Sequence, residues 1–350
     1  IFHNLHFFGN PMEKFRPSDK ESQRARKKKK GSNLIYFGPG VHNLPKDTLF
    51  VPSGTTVYID GGARVYGNIF TEGAHDVNIF GRGEVHPDGR GAGVWVRRSK
   101  NVRIDGIVVS QLPIGQCDSV ELTNVKSISY YGWGDGMDVF SSSNVILDGV
   151  FCRNSDDCTA VYASTQGFKG GSNNVLVKNA TLWADVAHPI NIGGHGDPNG
   201  MDTVQNVTFR NIDILDQAEK QIDYQGCLAI NPGDNTLVRN ITFENIRIED
   251  FRNGQLVNFR ISFNPKYCVS TGRGIHNVLV KDVTYNGSGE NLSIIAGYDE
   301  NHKISGIRFV NLVVNGRKIT DDMPGKPKWY KTGDMAGIFI GEHVENISFE

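Results

Sequence analysis

Two stretches of the sequence, Asn206-Val207-Thr208-Phe209-Arg210-Asn211 and Asn240-Ile241-Thr242-Phe243-Glu244-Asn245, repeat one phrase. In each, an Asn precedes alternating apolar residues, which is the pattern of a strand with one buried face, and a second Asn ends the phrase. Further copies or shorter forms of the phrase are Asp76-Val77-Asn78-Ile79-Phe80-Gly81, Asn101-Val102-Arg103-Ile104-Asp105-Gly106, Asn124-Val125, Asn144-Val145-Ile146-Leu147-Asp148-Gly149, Asn174-Val175-Leu176-Val177-Lys178-Asn179 and Asn277-Val278-Leu279-Val280-Lys281-Asp282. Their successive starts differ by 25, 23, 20, 30, 32, 34 and 37 residues.

A strand unit that recurs at this period, with no helical pattern between copies, predicts a solenoid. We expect an all-β, right-handed parallel β-helix, in which each coil has about three short strands and buries alternate apolar residues in one continuous interior. The phrase-final Asn and Gly residues suit left-handed turns, and Asn side chains can stack in ladders. The alternative is a β-propeller, but its repeats of about 40 to 45 residues exceed these periods. Coils with longer periods are expected to form longer loops on the binding side.

The overall charge excludes two classes of partner. Of the 350 residues, 37 are Lys or Arg and 38 are Asp or Glu, which gives a formal net charge of −1. A chain without bulk positive charge is not expected to bind nucleic acid or an anionic membrane. No run reaches the roughly 18 apolar residues of a membrane span. We therefore expect a monomer whose function lies in a localised site.

Composition suggests one domain boundary. The basic run from Arg24 to Lys30, followed by Gly31-Ser32, predicts a solvated linker, with a nuclear signal or polyanion-binding patch as the alternative. Residues 1–31 are accordingly predicted to be the end of an upstream domain or a linker, and residues 32–350 the catalytic β-helix domain. The five cysteines permit one or two disulfides without requiring any, and their spacing does not favour a zinc site.

Acidic residues cluster in two neighbouring coils. Two segments place them among small and apolar residues: Trp133-Gly134-Asp135-Gly136-Met137-Asp138 and Asn154-Ser155-Asp156-Asp157-Cys158. Asp135 lies 135 − 124 = 11 residues after its phrase start, and Asp156 lies 156 − 144 = 12 after the next, so both are expected on one side of adjacent coils. Mutual repulsion there raises at least one pKa. One protonated and one ionised carboxyl group are what glycosidic hydrolysis requires.

The same spacing extends the column into the next two coils. His188 lies 188 − 174 = 14 residues after its phrase start, and Lys220 lies 220 − 206 = 14 after the following one. The sequence thus predicts a cleft along the helix axis that is lined by acids, a histidine and a lysine. The alternative is a chance alignment of polar residues on a solvated face.

These residues, within roughly residues 32–320, resemble motifs of the polygalacturonase family, glycoside hydrolase family 28, and of its dextranase-like relatives. Asn154-Ser155-Asp156-Asp157-Cys158 is similar to the N-x-D-D-C phrase of that family, Gly134-Asp135-Gly136 to the end of N-T-D-G, and His188 to the histidine of G-H-G. The resemblance implies that Asp156 is the general acid, that Asp135 and Asp157 hold the attacking water, and that the anomeric carbon is inverted.

The sequence departs from the family pattern around His188, whose neighbours are Ala187 and Pro189 instead of glycines, and at two places that matter more. Trp133-Gly134 stands where the family has Asn-Thr, and Gln221-Ile222-Asp223 stands where it has Arg-Ile-Lys. An Arg and a Lys there would bind a uronate carboxylate, so their absence leaves neutral glycans open beside pectin-type substrates. Neighbouring Lys220 is expected to compensate in part.

We therefore predict a secreted or periplasmic inverting glycoside hydrolase without a metal or cofactor, with His188 as a further catalytic candidate. The candidates for substrate contacts are Trp133, Asp138, His195, Lys220 and Asp223. The alternatives are a polysaccharide lyase or epimerase on the same fold, which would need a neutralising cation such as Ca²⁺, and a non-catalytic glycan-binding β-helix.

Overall fold

The computed structural model describes residues 4–13, 15–17, 20, 33–87, 89–288 and 291–350. Within these residues, nearly all regular structure is β-strand, with one short helix, α1 (Thr332–Met335), and one 3₁₀ turn (Ile222–Tyr224). The strands are β1 Leu34–Phe37, β2 Gly40–Phe50, β3 Thr56–Ile59, β4 Ala63–Glu72, β5 His75–Gly81, β6 Glu84–His86, β7 Val94–Arg97, β8 Lys100–Asp105, β9 Val108–Val109, β10 Ile114–Gly115, β11 Asp118–Thr123, β12 Lys126–Ile128, β13 Val139–Phe140, β14 Ser143–Asp148, β15 Phe151–Asn154, β16 Thr159–Tyr162, β17 Ser172–Ala184, β18 Ile190–Ile192, β19 Thr203–Asp216, β20 Leu228–Ile230, β21 Leu237–Ile248, β22 Val257–Arg260, β23 Gly274–Tyr285, β24 Ser293–Ala296, β25 Ile304–Val314, β26 Arg317–Ile319, β27 Ile338–Ile340 and β28 Val344–Phe349.

Parallel pairing between successive coils joins these strands into three sheets, which we name A, B and C. Sheet A runs from β1 through β3, β5, β8, β11 and β14 and the first halves of the long strands β17 to β25, ending at β28. Sheet B contains the first halves of β2 and β4, then β6, β9, β12 and β15 and the second halves of β17, β19, β21, β23 and β25. Sheet C contains the second halves of β2 and β4 and strands β7, β10, β13, β16, β18, β20, β22, β24 and β27. Strand β26 is the exception to the parallel pairing, because it pairs antiparallel with β25. The predicted right-handed parallel β-helix is confirmed.

The repeated phrases stack in register through the interior. Val207 pairs with Ile241 and Phe209 with Phe243, so each apolar position of one coil lies over the same position of the next. These side chains are fully buried; the rings of Phe209 and Phe243 stack across successive coils at 5.9 Å, and Phe259 of sheet C stacks on Phe243 from across the interior at 6.1 Å. The alternating pattern of the sequence therefore becomes one continuous apolar core.

Replacing Phe243 with Ala is expected to destabilise the fold by about 3 to 5 kcal/mol, because it leaves a cavity between two stacked rings that cannot collapse. Urea unfolding followed by circular dichroism measures the effect. Phe339→Ala is the matched control, since that ring is 53% exposed and its loss should change stability little. Equal losses in both variants would contradict the stacked core.

Asparagine ladders hold the turns between coils. Asn174 Nδ2 donates to Asn144 Oδ1 at 2.7 Å, Asn240 to Asn206 at 3.1 Å, and Asn277 to Asn240 at 3.3 Å. Each of these asparagines has a φ between 55° and 57°, a left-handed conformation that Asn tolerates better than most residues. The phrase-final Asn211 and Asn245 have φ values of 56° and 54°, and Asn245 Nδ2 donates to Asn211 Oδ1 at 3.3 Å, so the left-handed turns and ladders predicted for the phrase ends are confirmed. The asparagines at the phrase starts form a second ladder at a corner of each coil.

Two sets of loops flank the outer face of sheet C. The turns that lead from sheet B to sheet C occupy residues 129–138, 155–158, 185–189, 217–227 and 249–256 in successive coils. The turns that lead from sheet C back to sheet A occupy residues 163–171, 193–202, 231–236 and 261–273. Sheet C thus forms the floor of a groove that has loops along both edges.

The N-terminal segment lies against the coils. Glu13 accepts a hydrogen bond from Tyr58 at 2.8 Å, the carbonyl of Pro11 accepts one from Arg82 at 3.1 Å, and His6 lies 3.0 Å from Arg153 Nη1. The predicted boundary between residues 31 and 32 and the basic run fall at residues 21–32, which lie outside the described residues. That boundary stays a prediction.

All five cysteines have free thiols, so the disulfides that the sequence permitted are not formed. Among the described residues, no helix has the length and apolar character needed to cross a membrane.

Candidate active site

Three successive B-to-C turns bring the acids and the histidine together. Gly136 N donates to Asp157 O at 2.8 Å, which places Asp135 beside the Asp156–Asp157 pair. Cys158 N donates to His188 O at 2.8 Å, which places His188 beside Asp157. Strand β15 ends at Asn154, so Asp156 and Asp157 lie in the turn and both line the same cavity.

Close packing between the coils explains the local sequence. A Cβ atom on Gly136 would lie 2.1 Å from Cys158 O, and one on Gly134 would lie 2.5 Å from Ser155 Oγ. Asn154 Nδ2 donates to Ser127 Oγ, Ser129 Oγ and Asp135 O at 3.0 to 3.1 Å and so fixes the Asp135 turn. A side chain on Gly134, one of the departures from the family pattern, would therefore crowd Ser155 of the next coil and also the carbonyl oxygen of Tyr131 in its own turn, at 2.7 Å.

The carboxylate of Asp157 is held by four hydrogen bonds. Oδ1 accepts from His188 N at 3.2 Å and lies 2.7 Å from His188 Nδ1, while Oδ2 accepts from Tyr162 Oη at 2.8 Å and Asn191 Nδ2 at 2.9 Å. Burial alone would raise the pKa of Asp157, but the His188 charge and these hydrogen bonds outweigh it and lower that pKa. Asp157 is thus a fixed negative charge whose acceptor positions are filled.

His188 contacts Asp157 rather than the cavity. Its side chain is fully buried, and its second ring nitrogen, Nε2, lies 2.9 Å from the carbonyl oxygen of Tyr224. Burial lowers the pKa of His188, but the charge and hydrogen bond of Asp157 raise it to a net value above the usual one. Because both nitrogens face acceptors, the ring is doubly protonated and orients Asp157.

The other three acids of the cluster have raised pKa values. Burial, followed by the charge of Asp157, raises the pKa of Asp156 from 3.8 to about 7. Burial and the charges of Asp156 and Asp157 raise the pKa of Asp135 well above its usual value. Burial raises the pKa of Asp138 in the same way, and its Oδ1 accepts a hydrogen bond from Ala160 N at 3.1 Å. Near neutral pH the cluster therefore contains both an ionised carboxylate and protonated carboxyl groups.

The cluster opens into a groove that consists of two adjoining cavities. The first, of about 420 Å³, contains Asp135, Asp138, Asp156, Asp157 and the rings of Tyr162 and Tyr224, and the second is about 560 Å³. The two cavities share Trp133, Asp156, Ala187, Glu219, Lys266 and Tyr267. Asp156 is thus one of the residues at the junction of the two cavities.

Three of the predicted substrate-contact residues line the first cavity, namely Trp133, Asp138 and His195. Trp133 is 83% exposed and has a φ of 60°, a strained conformation for an aromatic residue. Lys220 and Asp223 are exposed and are not among the described residues that line either cavity. The roles assigned to all five residues stay predictions.

Sequence reasoning missed Glu219, Lys266 and Tyr267, which line the groove, whereas Tyr224 is one of the aromatic residues whose ring could stack on a sugar. Glu219 takes the place that was expected for Lys220, one residue away, and Tyr224, Lys266 and Tyr267 lie beside it. The rings of Tyr224 and Tyr267 stack at 5.1 Å, and Lys266 Nζ lies 4.7 Å above the Tyr267 ring. These residues belong to the long loops 217–227 and 261–273, which carry no repeat to predict their direction.

One cluster beside the groove has the side chains of a metal site. The ligand atoms of His195, Asp234 and Cys268 lie within 4.8 Å of one another. This donor set is of the type that binds zinc. Two members already have protein partners, however, because Asp234 Oδ1 accepts from Val269 N at 2.7 Å and the Cys268 thiol donates to a carbonyl oxygen at 3.2 Å. Burial raises the pKa of the Cys268 thiol to about 12, so a metal would have to displace its proton.

The fold and the site together define a parallel β-helix with a cluster of unequal carboxyl groups in a groove, the kind of site that acid–base cleavage of a glycan uses. A model of the family described as glycosyl hydrolases family 28 matches residues 94–323, which include the whole cluster. The chain belongs to this family, so the resemblance drawn from the motifs is confirmed.

Individual relatives agree with this assignment. A polygalacturonase of Juniperus ashei is 27% identical over 219 residues, which cover 59% of this chain and 39% of that protein. A probable endopolygalacturonase D of Neosartorya fischeri is 24% identical over 295 residues, which cover 72% of this chain and 57% of that protein. This chain thus spans about half the length of these relatives.

Among solved structures, a family 28 exopolygalacturonase of Yersinia enterocolitica superposes with a TM-score of 0.65 at 13% identity, covering 90% of this chain and 72% of that chain. At this identity, the similarity supports the fold.

Proposed function

We propose that this chain is an inverting glycoside hydrolase in which Asp156 is the general acid. The observation that carries the proposal is the position of Asp156 at the junction of the two cavities, with a carboxyl group whose pKa is raised to about 7 next to the ionised Asp157. A carboxyl group that keeps its proton near neutral pH can protonate the leaving oxygen of a glycosidic bond.

Asp135 is the proposed base. An attacking water needs a carboxylate with a free acceptor position, whereas both oxygens of Asp157 already have two hydrogen-bond donors each. Burial is the largest cause of the raised pKa of Asp135, and the charges of Asp156 and Asp157 add to it. When Asp156 holds its proton, the part due to the charge of Asp156 is absent, so Asp135 ionises more readily than it would beside an ionised Asp156. Asp157 then contributes its charge, and His188 positions Asp157.

The substrate that we propose is a polysaccharide or oligosaccharide that lies along the groove over sheet C. Two relatives are a polygalacturonase and a probable endopolygalacturonase D, so pectin-type glycans are the first class to try. A secreted or periplasmic location would bring the enzyme to such polymers. The predicted monomer also remains a proposal.

The stereochemistry of the product tests this mechanism. Proton NMR of the first-formed anomer, with a purified glycan that the enzyme cleaves, should show inversion, because the water and the leaving group occupy opposite faces of the sugar. Inversion also requires roughly 6.5 to 9.5 Å between the acid and base carboxyl groups, to leave room for the water. A product that retains the configuration of the substrate would contradict the single-displacement mechanism. An unsaturated product would instead indicate a lyase.

A further inference from the structure

The groove contains a carboxylate at the position where the spacing of the sequence predicted a lysine. In the coil that follows His188, the buried Glu219 side chain is 7% exposed and lines both cavities, whereas neighbouring Lys220 is exposed and lines neither. A substrate next to Asp156 therefore meets the Glu219 carboxylate, with Lys266 as the one described lysine that lines both cavities beside it.

Glu219 is held in a fixed orientation. Its Oε1 accepts hydrogen bonds from Gln221 N at 2.8 Å and Gln221 Nε2 at 3.3 Å, and its own backbone N–H donates to Asn253 O at 3.0 Å. The other oxygen, Oε2, accepts no hydrogen bond from the described residues. One oxygen is thus anchored, and the second is available to a molecule in the groove.

The basic side chains that line the groove already have partners within the protein, acids for Arg252 and the neutral Gln221 amide for Lys266. Among the described lining residues, Arg252 Nε lies 2.5 Å from Asp216 Oδ2, and Arg252 Nη2 lies 3.5 Å from Asp185 Oδ1. Lys266 Nζ donates to Gln221 Oε1 at 3.3 Å, and the same amide donates to Glu219, so Gln221 links the ammonium to the carboxylate. A substrate carboxylate would have to compete with these partners for a positive charge.

We propose that Glu219 makes the subsite beside Asp156 selective for a sugar unit without a free carboxylate. Hydroxyl groups of a neutral or esterified sugar can donate to Oε2, whereas a uronate at this place would bring a second negative charge toward Glu219 and the ionised Asp157. This inference rests on the proposed hydrolase function and narrows its substrate class.

The test compares two probes with the same backbone and linkage: polygalacturonate with free carboxylates and the same polymer fully methyl-esterified, in which each charge is replaced by a neutral methyl ester. Neutral galactan and dextran are added to the panel. Release of reducing ends is measured at several ionic strengths, because salt screens a repulsive interaction between charges. We expect the wild-type protein to cleave at least one neutral probe at least about tenfold faster than free polygalacturonate, since juxtaposed like charges weaken binding strongly.

Variants assign the selectivity to one side chain. Glu219→Gln keeps the shape and the hydrogen bonds but removes the charge, and it should raise the rate on free polygalacturonate relative to the neutral probe by about tenfold. Glu219→Lys should raise that ratio further. Glu249→Gln is the matched control, because Glu249 is exposed on the next coil and is not among the described lining residues. Thermal melting confirms that each variant is folded.

The possible outcomes separate the inference from the proposed function. A wild-type preference for free polygalacturonate, or a ratio that Glu219→Gln leaves unchanged, would overturn the inference while the hydrolase function stands. If the folded wild-type protein cleaves no probe, with rates equal to those of Asp156→Asn, the proposed function fails and the inference falls with it.

Discussion

Replacing Asp156 with Asn is expected to lower turnover by about 10² to 10⁴ fold, because an amide has no proton to give to the leaving oxygen. The change keeps the size of the side chain, so the coils should pack as before. Initial rates of reducing-end release on the best glycan of the panel measure the effect. Asp47→Asn is the control. Asp47 is exposed in an early coil, so this variant should keep the wild-type activity. A variant that retains more than about a tenth of the wild-type rate would contradict the assignment of Asp156.

The same variant should be more stable than the wild-type protein above neutral pH. The pKa of Asp156 is raised from 3.8 to about 7, so between these pH values the folded protein holds a proton that the unfolded chain has lost. The stability that this proton contributes is present below about pH 4 and is lost as the pH rises through about 7. Asn does not titrate. We therefore expect Asp156→Asn to gain about 1 to 4 kcal/mol at pH 8 and nothing near pH 3, as measured by urea unfolding.

The fold could be predicted from sequence because one physical pattern repeats in almost every coil. Asn206 and Asn240 each combine a left-handed turn with a ladder hydrogen bond, and the alternating residues that follow them fill the interior. A side chain on a strand can face only inward or outward, so the period alone determines the core. The same regularity gave the expected placement of Asp135 beside Asp156, because these residues lie only 139 − 135 = 4 and 159 − 156 = 3 positions before the next strands, whereas Glu219 lies 228 − 219 = 9 before its strand.

The groove beyond His188 could not be predicted in the same way. The loop 217–227 has no repeat, so counting from the phrase start could not tell whether Glu219 or Lys220 faces the groove, and an error of one residue reverses the charge. Lys266 and Tyr267 come from a separate loop whose position depends on stacking with Tyr224 and on Gln221. Short turns inherit their direction from the strands, whereas long loops are placed by tertiary contacts that no local pattern records.

Replacing Asp157 with Asn should damage both stability and catalysis. In either orientation of the Asn amide, its NH₂ group would face N–H or O–H donors, those of His188 on one side or those of Tyr162 and Asn191 on the other. The buried imidazolium of His188 would also lose its counter-charge. Removing one partner of a buried ion pair costs about 3 to 5 kcal/mol. The pKa of Asp157 is lowered, so its contribution is present above the usual carboxyl pKa and is lost as the pH falls through the folded value. The loss in stability should therefore be largest near neutral pH and shrink in acid.

The pH profile of the residual activity separates catalysis from folding. In the wild-type protein, kcat/KM should fall above about pH 7 as Asp156 loses its proton. The charge of Asp157 is the second cause of that raised pKa, after burial, so in Asp157→Asn this alkaline limb should move to lower pH but should not reach the value of an exposed carboxyl group.

Tyr162→Phe is the matched control for this shift. It removes one hydrogen bond from Asp157 and leaves the charge, so the alkaline limb of its profile should stay near that of the wild-type protein. A loss of folded protein lowers the whole profile without moving the limb. An unmoved limb in Asp157→Asn would therefore show that Asp157 does not set the protonation of the acid, and the electrostatic role assigned to it would be wrong.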